Sequence, residues 1–72
     1  MNVPTPPDDD RALAATVGAL HRIAGFITGQ GRGDVIELRD EAIRLAGQHL
    51  SANRLAEVAG VPFELIMTVL CS

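Results

Sequence analysis

A serine, a histidine and an acid are the groups that make a hydroxyl nucleophilic, and Ser51, His49 and Glu57 stand close together in the chain. Ser51 has a simpler duty, because it sits where a helix would need an N-cap. The set is therefore not read as catalytic. Metal chemistry also lacks its pattern. His21 and His49 have no second histidine and no glutamate at one-turn spacing, and no cysteine beside them. His21 reads as a surface or boundary residue. Cys71 is the only cysteine, which rules out an intrachain disulfide, and with no base near it we read it as a reduced thiol. Gly29-Gln30-Gly31-Arg32-Gly33 alternates glycine as phosphate-cradling loops do. However, no strand precedes it and no Lys-Ser/Thr follows, so it reads as a helix end and hinge. Neither an enzyme nor a cofactor or metal protein is expected.

Charge narrows the partners. The chain has 72 residues and a formal charge of −3. Asp8, Asp9 and Asp10 supply all of that charge, since the six arginines beyond them match six acids (Asp34, Glu37, Asp40, Glu41, Glu57, Glu64). A neutral body is unusual for a nucleic-acid binder, whose affinity comes largely from neutralising phosphates. Hydrophobic residues make up 47%, a globular composition, and no apolar run approaches the ~18 residues of a membrane span. The start lacks a basic run followed by an apolar stretch, so no signal peptide is expected and the protein reads as cytoplasmic. The small size fits a phage, plasmid or accessory-element gene. Below about 70–80 residues one core rarely supplies more than about 3–5 kcal/mol. A homo-oligomer or hetero-complex is therefore expected.

The elements that must position these residues are all helical. Residues 1–7, with three prolines, are expected as a disordered tail before a single helical domain over 8–72. Asp8–Asp10 would cap a first helix over 8–29. Its apolar stripe is Leu13, Val17, Leu20, Ala24 and Ile27, with a second stripe of Ala12, Ala15, Ala19, Ile23 and Phe26 beside it. Gly18 and Gly25 weaken that helix and would permit close helix approach. A second helix is expected over Asp34–His49, started by an Asp34/Glu37 capping box. It would bury Val35, Leu38, Ala42, Leu45 and Ala46, with Ile43 nearby, and pair Asp40 with Arg44. Ser51 caps a third over Ala52–Ala59, ended by Gly60. Val61-Pro62 turns the chain, with Pro62 at the first position of a fourth helix from Phe63 to Leu70 or Cys71.

Residues 51–70, SANRLAEVAGVPFELIMTVL, resemble the helix-turn-helix of small bacterial or phage DNA-binding regulators. The resemblance runs over 39–70, with the helix pair at 51–71. Leu55 and Ala56, Ala59-Gly60-Val61, and Ile66 with Val69-Leu70 carry it. Ala56 is small enough for crossed helices, Gly60 can take the positive φ of the turn, and Val61, Ile66 and Leu70 would face inward. With the four helices read above and no strand-like alternation, the expected fold is a compact all-α bundle of four helices, ending in the helix-turn-helix that the resemblance implies. The resemblance also implies a DNA-binding transcriptional regulator whose last helix enters the major groove of double-stranded DNA. On that reading Phe63, Glu64, Met67 and Thr68 face the bases, while Arg54, Arg39 and Arg44 meet phosphates.

The last helix departs from that pattern, having no Arg, Lys, Asn or Gln. Its many apolar positions suggest an alternative, a protein-interaction module (adaptor or inhibitor) or homodimer that docks through Phe63, Met67 and Leu70, helped by Ile23 and Phe26. If the first helix instead folded back over the last, no such face would be left.

Overall fold

A computed structural model describes the backbone of residues 6–72 and the side chains from Asp9 onward. The expected tail over residues 1–5 lies outside the described residues. Four helices follow in order, α1 (Pro6–Phe26), α2 (Gln30–Ala46), α3 (Ala52–Ala59) and α4 (Phe63–Leu70), with no strand among the described residues. α1 packs along α2 and against α3, while α4 packs on α3 and α2. Val17, Ile43, Leu55 and Ile66 are fully enclosed, one from each helix, so a single core ties the four together.

α1 begins at Pro6, ahead of the expected Asp8, because prolines are tolerated in a first helical turn, where their missing N–H has no partner to lose. The Asp8–Asp10 run therefore lies inside the opening turns rather than capping them. The helix also stops at Phe26, short of the expected Thr28-Gly29. Gly29 takes φ 92° and ψ −158°, an extended positive-φ conformation open to glycine, between the two helices. The glycine-alternating stretch is then helix rather than loop, since α2 starts at Gln30 and runs straight through Gly31 and Gly33. Arg32 explains part of this reversal of propensity. Its Nε donates to the Ala24 carbonyl at 3.0 Å, clamping the first turn of α2 to the last turns of α1. The capping box at Asp34 does not form, because Asp34 lies within the helix and the N-cap is Gly29, without a side-chain cap.

α2 ends at Ala46 rather than His49, and the N–H groups of His49 and Leu50 both bond the Ala46 carbonyl, tightening the exit. Its buried face is Ala42, Ile43 and Ala46. Leu38 and Leu45, expected inside, are exposed. The core takes the narrow side of α2 centred between Ala42 and Ile43, and the two leucines fall on its flank. Arg44 pairs with Glu41 at 3.7 Å rather than with Asp40, which instead holds Arg39.

The corner into α3 follows expectation. Ser51 Oγ accepts from the Arg54 N–H at 3.2 Å. Ser51→Ala is expected to cost about 1 kcal/mol in denaturant unfolding, the usual worth of such a cap, while Ser51→Asp should cost little. At the other end Gly60 adopts φ 71° in the left-handed region, and the N–H groups of Gly60 and Val61 both reach the Ala56 carbonyl, at 3.0 and 3.2 Å. Pro62 is the N-cap of α4 rather than its first helical residue, and its carbonyl accepts from Leu65 and Ile66.

Gly18 fixes how α1 meets α3. A Cβ there would lie 2.5 Å from the Ala59 carbonyl oxygen, so only glycine allows this approach. Gly25 meets nothing within 4 Å and has no such role.

Candidate functional site

The last helix presents two faces. Ile66 and Val69 point into the core, with Leu65 half-buried beside them. Phe63, Met67 and Leu70 recur at four and three residues, so they share one side of the helix. They stand 43%, 36% and 36% exposed. Leu70 also leans over Gly47 at the end of α2, where a Cβ would come within 2.8 Å of its Cδ2. Among the described residues the principal neighbours of α1 are α2 and α3 rather than α4. Ile23 and Phe26 are exposed as well, Phe26 at 86%, but they sit near the far end of α1, on a helix that is not a principal neighbour of α4.

The polar groups of α4 offer little to a nucleic acid. Thr68 Oγ1 donates to the Glu64 carbonyl at 2.9 Å, which uses its hydrogen within the helix. Glu64 is the only charge on α4, and a carboxylate repels phosphate. The three arginines expected to meet phosphates each face an acid of their own. Arg39 Nε and Nη2 both donate to Asp40 Oδ1, at 3.1 and 3.0 Å, with the arginine side chain 12% exposed. Arg44 faces Glu41, and Arg54 Nη1 meets Glu57 Oε1 at 3.3 Å. The Arg44 and Arg54 pairs are exposed and weak, so those side chains can exchange partners, whereas Arg39 is held.

No family model matches the chain, and no curated protein or solved structure matches it either. Ser51 is occupied as a cap, His49 Nδ1 lies 3.8 Å from Asp10 Oδ1, and Glu57 holds Arg54, so the three are not organised as a nucleophile and its base. His21 is half-buried with its Nδ1 enclosed and without a hydrogen-bond partner among the described residues. Among the described residues no three His, Cys, Asp or Glu side chains gather as a metal ion would require. No helix among them is long and apolar enough to cross a membrane.

Proposed function

We propose that this protein is a protein-interaction module that docks through the outer side of α4, with a second copy of itself as the occupant. One observation carries the reading. The Phe63–Met67–Leu70 side of α4 is apolar and partly exposed among the described residues, and α4 carries no charge on it. An uncharged stripe of this kind matches itself across a two-fold axis without needing an opposite sign on the partner. Aromatic and methionine side chains are the types favoured at the centre of such contacts.

Pairing makes stability depend on concentration. The melting temperature of the wild-type chain is expected to rise with protein concentration. Phe63→Asp/Met67→Asp should remove that dependence while leaving the far-ultraviolet helical signal intact, since both side chains lie outside the core. A melting temperature that is the same at all concentrations for the wild type overturns the reading.

The second reading is DNA binding by a helix-turn-helix. The Ser51 cap and the left-handed Gly60 between two eight-residue helices, with α2 packed on α4, favour it. Its weakness is that α4 carries no cationic or amide side chain, and its one hydroxyl, Thr68, donates within the helix. Arg54 is the exposed cation nearest the turn in sequence, and Arg22 Nη1 reaches the Gly18–Ala59 contact beside it, so duplex association that Arg54→Ala abolishes would favour this second reading over the first.

A further inference from the structure

A groove of about 260 Å³ lies away from α4, lined among the described residues by Asp10 and Arg11 of α1, Leu50 at the α2–α3 corner, and Arg54 and Val58 of α3. It is smaller than the roughly 300–1,000 Å³ pockets that take drug-sized ligands. Both signs of charge line it, and they do not pair with one another across it. Asp10 lies nearest His49, an ionic pair only when that histidine is protonated, and Arg54 turns to Glu57. No ion pair joins Asp10 to Arg11 or Arg54. The groove thus keeps a carboxylate and guanidinium groups apart, beside the apolar Leu50 and Val58.

We propose that this groove binds a small zwitterion with an apolar side chain, the chemistry of a free apolar α-amino acid. Asp10 accepts from the ligand's ammonium group, and Arg54 with Arg11 donates to its carboxylate in charge-assisted hydrogen bonds. Leu50 and Val58 cover its side chain. The Arg54–Glu57 pair is exposed and i,i+3 in register, so exchanging Glu57 for a ligand carboxylate costs little. This site is independent of the α4 face.

The test is a titration of the full chain with L-leucine, followed by amide nuclear magnetic resonance. Saturable shifts are expected at Leu50, Arg54 and Val58. N-acetyl-leucine lacks the ammonium group and leucinamide lacks the carboxylate, and each should bind about tenfold more weakly. Asp10→Asn and Arg54→Gln should reproduce those two losses separately. The Phe63→Asp/Met67→Asp protein should bind leucine unchanged, so the groove and the α4 face succeed or fail apart. An absence of saturable shifts overturns the proposal. So does N-acetyl-leucine or leucinamide binding as tightly as leucine, because the groove would then recognise a greasy chain or a single charge only.

Discussion

Leu55→Ala is expected to leave most of the protein unfolded in dilute solution. Leu55 is fully enclosed on α3, in the core shared with Val17, Ile43 and Ile66. Truncating a buried leucine removes its transfer free energy and leaves a cavity, at a cost of about 2–5 kcal/mol. A single core of this size supplies only about 3–5 kcal/mol in all. The two ranges overlap, so the variant should lose most of its cooperative transition in urea. A loss below about 1 kcal/mol would mean that the site is solvated or collapses freely, which an enclosed leucine does not do.

Gly18 and Gly25 should respond to alanine with opposite signs, although both lie in α1. Alanine is favoured over glycine in a helix by up to about 1 kcal/mol. At Gly25 nothing opposes that gain, because the added Cβ meets no atom within 4 Å, and a modest increase in stability is expected. At Gly18 the Cβ meets the Ala59 carbonyl oxygen at 2.5 Å. That atom is backbone and cannot swing aside, so α3 must shift away from α1. Overpacking of this kind costs about 1–3 kcal/mol, which outweighs the helix gain. Gly18→Ala should therefore destabilise, and Gly18→Val should do so more strongly. Urea midpoints of the two alanine variants decide it. Equal shifts of the same sign would contradict the close α1–α3 crossing.

Much of this fold is legible in the residues. Ser51 and Gly60 mark the ends of α3 because each does something few residue types do, one accepting at an N-cap and the other turning left-handed. Gly18 is legible as a close-approach position, but its spacing does not distinguish it from Gly25, since only the position of α3 does. The glycine-alternating stretch reads as a hinge on propensity, and tertiary contacts override it through the Arg32 clamp onto α1. Leu38 and Leu45 fit a helical apolar stripe equally well, yet α2 turns its alanines and Ile43 inward.

The candidate site divides in the same way. The exposed Phe63 and Met67 follow from a helix with apolar residues on nearly every side. Ile23 and Phe26 fit the expected patch by type but lie on α1, which is not a principal neighbour of α4. The groove at Arg11, Leu50 and Val58 joins three separate parts of the chain, and no local spacing announces it.

The outer side of α4 is proposed to meet protein rather than DNA. Mass determination by sedimentation, with and without an excess of nonspecific duplex at low salt, tests it most directly. A concentration-dependent shift from one chain to two is expected, unchanged when duplex is added. A chain that stays single in isolation and co-sediments with duplex, releasing it as salt rises, would contradict it.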